Sequence, residues 1–336
     1  MLRPLTVVRP NVVTGAPFAA VLLEADTDRD VSPAVRRRLP QTIAHRGYKA
    51  VFPENTLVAF RSAIEIGAHA IETDLHMSKD GVVVLCHDSS LKRCFGIDAK
   101  IADCEWRYLS TLRTLREPRQ PIPRLVDLLE YLAQPGLENI WVLLDVKRDD
   151  DGSELLSGVA AACASVPTKR AWSERLVMGC WTADYVSLCL RHLPGFPFTY
   201  IGWSLTYARE LLPVPNMNFN MLQYSLVGPC GTRFLKDVRK AGRLVFVWTV
   251  NDEAWMEWSI RKGLDGVITD DPKLFLEVCK RRDNEDDSTR SQMRLSLLAR
   301  QAVEIAAFQV FSALLALYML TAVGTPRKHA QKALQR

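Results

Sequence analysis

The sequence predicts an α/β protein: a (β/α)8 TIM barrel followed by a C-terminal membrane-associating helix. Three observations lead there. Short apolar runs recur through residues 41–280 with helically spaced segments between them. The runs are nearly continuous rather than alternating, as parallel strands covered on both faces require. A separate apolar stretch near the C-terminus is long enough to span a bilayer.

In chain order, residues 1–39 read as an N-terminal extension. Its apolar run "VVTGAPFAAVLL" is followed closely by Glu24, Asp26, Asp28 and Asp30, which argues against a secretion signal. The barrel is expected over 40–280. Its strands are read at 41–44, 70–75, 82–86, 140–146, 175–181, 198–203, 219–227, 243–250 and 265–270. Helices are read in "TLVAFRSAIEIG", "LVDLLEYLAQ", "DYVSLCLRHL", "TRFLKDVRKAG" and "EAWMEWSIRKG", where apolar residues fall at helical intervals. The number of such units favours a closed barrel over an open sheet. One connection, "HMSKDG", is too short for a helix and has the composition of a hairpin turn.

Residues 281–294 form a charged linker, 295–324 a hydrophobic membrane-associated segment, and 325–336 a basic tail. As a helix, 302–323 would be about 33 Å long, close to the hydrocarbon thickness of a membrane. Arg290, Arg294 and Arg300 precede it and Arg327, Lys328, Lys332 and Arg336 follow, so charge does not orient it. The formal charge of +5 is small and dispersed, which gives no support to nucleic-acid binding. Eight cysteines show no C-x-x-C pair and read as reduced and structural.

Chemistry-bearing residues collect at strand ends. Glu72 and Asp74 are spaced i, i+2 and share one face of a strand. In an apolar run such a pair is costly unless solvated, hydrogen-bonded or bound to a cation, and oxygen ligands suit Mg²⁺ or Ca²⁺. Asp145 and Lys147 end "WVLLDVK" with the same spacing, either as a salt bridge or as site residues at the C-terminal end of a barrel strand. His45 and His87 also end strands. Any one of these has an ordinary structural explanation; four strand ends converging are harder to explain that way. If the hairpin pairs its strands, the carboxylates lie near His87.

The stretches "AHRGYKAVFPENTLVAF", "IETDLHMSKDGVVVLCHD", "LLDVK", "VWTVND" and "GVITDDP", in that order over residues 41–275, closely resemble the glycerophosphodiester phosphodiesterase family. The resemblance implies a metal-dependent barrel enzyme with His45 and His87 as acid and base. It implies Glu72, Asp74 and Asp145 as ligands of one divalent cation, Mg²⁺ or Ca²⁺, with Arg46 and Lys147 acting on the phosphate. The family often has glutamate where Asp145 stands, so the side chain here is one methylene shorter. Glu54, in Pro-Glu-Asn-Thr, is expected at the metal or orienting Arg46 in the substrate site. Trp248 is expected either to stack on a glycerol moiety or to fill the barrel core.

"VMGCWTADY", "MLQYSLV", "VFVWTVND" and the tail are most similar to the fungal phosphatidylglycerol phospholipase C branch. That resemblance implies hydrolysis of phosphatidylglycerol to diacylglycerol and glycerol 3-phosphate. A glycerophosphodiesterase or lysophospholipase D, and an inactive membrane scaffold, are the alternatives. The expected partners are a phospholipid substrate and a membrane surface, with no nucleic acid and no protein partner. The expected location is a membrane with the barrel in the cytoplasm: endoplasmic reticulum, mitochondrial surface or lipid droplet.

Overall fold

The computed structural model describes residues 38–284, with Val21–Leu22 and positions 306, 308 and 310. The rest of the extension, the linker beyond Asn284, the remainder of 295–324 and the basic tail lie outside the described residues. Among the described residues no helix is long and apolar enough to cross a membrane.

In chain order the strands are β1 (Val21–Leu22), β2 (Arg38–Leu39), β3 (Gln41–His45), β4 (Ala70–Met77), β5 (Val83–Leu85), β6 (Trp141–Val146), β7 (Leu176–Cys180), β8 (Phe198–Gly202), β9 (Met217–Leu222), β10 (Val245–Trp248) and β11 (Gly266–Thr269). β1 and β2 form a short antiparallel pair. Strands β3, β4 and β6 to β11 pair in parallel, and β11 returns to β3, closing an eight-stranded (β/α)8 barrel. β5 is the exception; it pairs antiparallel with the upper end of β4 across the expected hairpin.

Alternation along each strand separates two apolar layers. Ile43, Ala70, Trp141, Leu143, Val177, Ile201, Phe246 and Ile268 fill the barrel interior. A larger cluster, including Ile71, Leu75, Val142, Leu144 and Phe219, packs between the sheet and the surrounding helices. Two residues above Ala70 stands Glu72, then Asp74; two above Leu143 stands Asp145. The side-chain period of two therefore carries each inward row from an apolar plug to carboxylates at the C-terminal mouth.

All five expected helices form, as Leu57–Glu65, Leu125–Leu132, Ala183–His192, Gly228–Lys240 and Glu253–Arg261. The strand expected over 219–227 is instead β9 followed by a 3₁₀ turn, Gln223–Leu226. The Ser225 hydroxyl donates to the Leu222 carbonyl at 2.6 Å, and Tyr224 sets its ring against Trp255 at 5.9 Å. These local and packing contacts outcompete extension of the strand. Helix Gly152–Ser165 has no counterpart in the sequence reading, because its glycines and small residues blur the apolar stripe; Asp151 caps it on the amides of Ser153 and Glu154. The last helix, Pro272–Asn284, runs into what reads as linker.

Between β5 and β6 the chain makes an insertion with its own small core, including Val84, Cys86, Leu91, Phe95, Ile101, Leu109 and Ile122. Arg116, in this insertion, donates to the carbonyls of Lys49, Ala50 and Phe52 in the loop after β3.

Candidate active site

The loop after β3 contains three unusual backbone conformations, two at its start and one near its end. Arg46 and Gly47 take positive φ (56° and 82°), and Asn55 does so at 55°. A side chain at Gly47 would place its Cβ 2.7 Å from the backbone of Ala59, so only glycine fits. The turn aims the Arg46 amide at Glu72 Oε2 (3.1 Å) and its guanidinium at Asp74 Oδ2 (3.3 Å).

Register does the rest. His45 lies opposite Glu72, and Asp74 opposite Asp145, so four side chains sit on three adjoining strands at two successive levels of the barrel mouth. Glu72, Asp74 and Asp145 are all buried, with donor oxygens within 4.8 Å of one another. Lys147 Nζ bridges Asp74 Oδ1 (2.7 Å) and Asp145 Oδ2 (2.6 Å). Asn55 donates to Asp74 Oδ2 at 2.9 Å, and the indole of Trp181 donates to Asp145 Oδ1 at 2.7 Å. One pocket is bordered by His45, Arg46, Glu72, Asp74, His87, Asp145, Lys147 and Trp248.

The electrostatics identify what the pocket suits. Burial and the neighbouring carboxylates of Asp74 and Asp145 push Glu72 well above the ordinary glutamate range. Burial also raises Asp145. For Asp74 the same burial is outweighed by Lys147 and Arg46, which hold it well below the usual range. Three carboxylates facing two cationic side chains leave an excess of negative charge in a desolvated place. That all-oxygen, net-negative set fits a hard divalent cation.

Each histidine has a carboxylate behind it. His45 Nδ1 lies 2.6 Å from Asp270 Oδ1, which fixes the proton on Nδ1 and leaves the Nε2 lone pair toward the pocket. Burial lowers the pKa of His45 despite that partner, so the ring is neutral near pH 7. Burial raises Asp270, but the bonds from His45 and Lys49 prevail and hold it down to about 2. His87 Nδ1 lies 2.6 Å from Asp88 Oδ1. The His87 carbonyl is held by His76 Nε2 (3.2 Å), whose Nδ1 meets Asp150 Oδ2 at 2.7 Å. Both nitrogens of His76 face acceptors, an arrangement that favours the doubly protonated ring, and the bond to Asp150 raises its pKa against the effect of burial.

The sequence-derived set converges with one reassignment. Glu54 does not border the pocket; it lies behind Arg46, accepting from Arg46 Nη1 at 2.8 Å and from Arg93, and so orients Arg46. Trp248 is half-buried and lines the pocket, its ring edge-on to Trp181 at 5.9 Å and its indole N–H on the Asn220 carbonyl. Sequence reasoning missed Asp270, Asp88, Asn55, Trp181, His76 and Arg93. Asp270 and Asp88 were within reach, since each is an acid at a strand end inside a quoted motif. None of the eight cysteines forms a disulfide.

Comparison with known proteins agrees with the geometry. The model of the glycerophosphoryl diester phosphodiesterase family matches residues 45–274. Human lysophospholipase D GDPD1 is 41% identical over 279 residues, covering 70% of this chain and 85% of that protein. The glycerophosphodiester phosphodiesterase of Caldanaerobacter subterraneus subsp. tengcongensis is 28% identical over 249 residues, covering 71% and 97%. Among solved structures, the glycerophosphodiester phosphodiesterase of Thermotoga maritima superposes with a TM-score of 0.58 at 28% identity, covering 71% and 98%. An Oleispira antarctica phosphodiesterase, solved with its product sn-glycerol-3-phosphate, gives 0.64 at 22% identity over 72% and 97%.

Proposed function

Because the chain belongs to the glycerophosphoryl diester phosphodiesterase family and is a phosphoric diester hydrolase, we propose that it cleaves the head-group side of glycerophosphodiesters and lysophospholipids. The products are glycerol phosphate or a lysophosphatidic acid, and the free alcohol. The observation that carries this reading is one pocket holding two histidines, each backed by a carboxylate, across a triple-carboxylate cluster with Arg46 and Lys147. The relatives named as lysophospholipase D and glycerophosphodiester phosphodiesterase support the bond and the substrate class.

Glu72, Asp74 and Asp145 would hold one divalent cation, Mg²⁺ or Ca²⁺, which when bound polarises the phosphoryl oxygens. The chain's own residues do the remaining work. Arg46 and Lys147 supply fixed positive charge where negative charge grows in the transition state. His45, neutral with Nε2 free, takes the proton of the nucleophile, whether water or a neighbouring glycerol hydroxyl. His87 gives a proton to the departing alkoxide. Trp181 and Trp248 line the pocket edge-to-face with each other and provide apolar surface for the glycerol carbons.

The phosphatidylglycerol phospholipase C reaction, implied by the branch resemblance, cuts the other P–O bond. A product assay therefore separates the readings. Full-length protein is incubated with glycerophosphocholine, lysophosphatidylcholine micelles or phosphatidylglycerol vesicles, with EDTA, Mg²⁺ or Ca²⁺, beside His45→Ala. The expected result is metal- and His45-dependent choline release from the first two substrates. Diacylglycerol from phosphatidylglycerol, without choline release, would replace this reading with the phospholipase C one. Membrane association through 295–324 belongs to the same proposal; co-sedimentation of full-length protein with vesicles tests it.

A further inference from the structure

Arg93 lies in the insertion, on helix Lys92–Phe95, with a side chain 48% exposed that does not border the catalytic pocket. Its guanidinium nevertheless uses all three nitrogens on two acids that stand behind catalytic groups. Nε donates to Asp88 Oδ2 at 2.6 Å. Nη1 and Nη2 donate to the two oxygens of Glu54 at 3.0 and 2.7 Å. The other oxygen of Asp88 meets His87 Nδ1 at 2.6 Å, and Glu54 Oε1 also accepts from Arg46 Nη1 at 2.8 Å. A planar guanidinium suits this arrangement, since its paired Nη donors meet one carboxylate while Nε–H, off another edge of the same plane, meets the second.

We propose that Arg93 is a positioning residue for the hydrolysis, joining the His87–Asp88 and Arg46–Glu54 pairs into one rigid unit. The inference rests on the proposed reaction, and its logic is geometric. Asp88 and Glu54 come from different loops, the first after β5 and the second after β3. Without Arg93, Asp88 keeps one anchored oxygen fewer and turns about its own χ2, taking the His87 ring with it. Glu54 then loses both bonds from Arg93 and keeps, of these contacts, only the one from Arg46, so it no longer fixes that guanidinium from a held position. Both misplacements affect the transition state more than the bound substrate, because proton delivery and charge stabilisation depend on angle. Lysine cannot replace arginine here, as a single ammonium reaches one acid at a time.

The experiment compares Arg93→Ala, Arg93→Lys and wild type as full-length proteins on glycerophosphocholine with saturating divalent metal. The expected result is a fall in kcat of about tenfold or more for Arg93→Ala, with KM within about threefold and an intermediate kcat for Arg93→Lys. Guanidinium chloride at low millimolar concentration should restore several-fold of the alanine variant's kcat, because the side chain's place is open to solvent, while sodium chloride should not. A kcat within twofold of wild type overturns the proposal, and so does a loss confined to KM or one that guanidinium fails to restore. If Arg93→Ala lowers the thermal midpoint, the kcat of Arg93→Lys decides by the same limits. A readout independent of turnover is the proton NMR signal of His87 Nδ1–H, assigned through His87→Gln. It should shift in Arg93→Ala, and an unmoved signal overturns the positioning role even where wild-type protein proves to act on another substrate.

Discussion

Replacing Asp270 by asparagine changes one atom of a partly buried hydrogen bond, and the structure specifies which way the new amide turns. In the native site Oδ1 faces His45 Nδ1 at 2.6 Å, while Oδ2 receives donors from Asn251 Nδ2 at 3.0 Å and Lys49 Nζ at 3.3 Å. The asparagine oxygen stays with those two donors, since an NH₂ group there would oppose both. The NH₂ therefore faces His45, which must accept through Nδ1 and carry its proton on Nε2. That is the tautomer unable to act as a base toward the pocket. Loss of the charge-assisted bond to the developing imidazolium is worth about 1.5–3 kcal/mol. Reversing the tautomer against a facing donor adds about 1–3 kcal/mol for the buried polar group left unpaired. At 1.36 kcal/mol per decade, kcat should fall by about 10²–10⁴-fold, with KM little changed. The assay is steady-state choline release from glycerophosphocholine by Asp270→Asn and Asp270→Ala. Alanine removes the support without imposing the tautomer, so it should be the milder substitution. Asparagine activity within fivefold of wild type, or alanine clearly worse than asparagine, would refute the assignment of His45 as the base oriented by Asp270.

Other expectations follow from the same geometry. His76 has its pKa raised, the bond to Asp150 outweighing burial, so its charged form stabilises the fold fully below about pH 6.5 and that contribution disappears as pH rises through the elevated folded value. Urea unfolding of wild type and His76→Gln should differ by about 2 kcal/mol at pH 6, where the Asp150 carboxylate and the His87 carbonyl lose their partner, and converge at higher pH; a pH-independent gap contradicts the imidazolium. Gly47→Ala meets a positive φ and the Ala59 backbone together, for a cost of about 2–4 kcal/mol by denaturant midpoint and a collapse of kcat as His45 and Arg46 shift. Wild-type midpoint and rate in that variant would show that the turn can relax.

What could be read from the chain was what the backbone period fixes locally. Glu72 and Asp74 share a face because they are two apart on a strand, and the hairpin at 76–81 follows from its turn residues. The family motifs supplied the remaining pocket residues by their order along the chain. What escaped was long-range. Asp270 reaches His45 across 225 residues and only barrel closure brings them together. Arg93 carries no local signal, since an arginine on a short exposed helix looks like any solvated charge. For Glu54 the sequence leaves two places open, at the metal or against Arg46, because it gives the spacing of the Pro-Glu-Asn-Thr turn and not the handedness that Arg46 and Asn55 impose; the structure has it against Arg46. The turn after β9 shows the opposite failure: an apolar run long enough to continue as a strand was bent by a serine hydroxyl and an aromatic contact.

The loop after β3 is held from outside the barrel's own repeat. Three of its carbonyls end on the guanidinium of Arg116, which belongs to an insertion more than sixty residues downstream. The segment that turns His45 and Arg46 into the pocket thus borrows its shape from a module with a separate core. Exchanging that module between relatives to alter substrate range would not be a neutral graft: a donor insertion lacking an arginine at this point would leave the recipient's first strand intact and its catalytic turn unsupported.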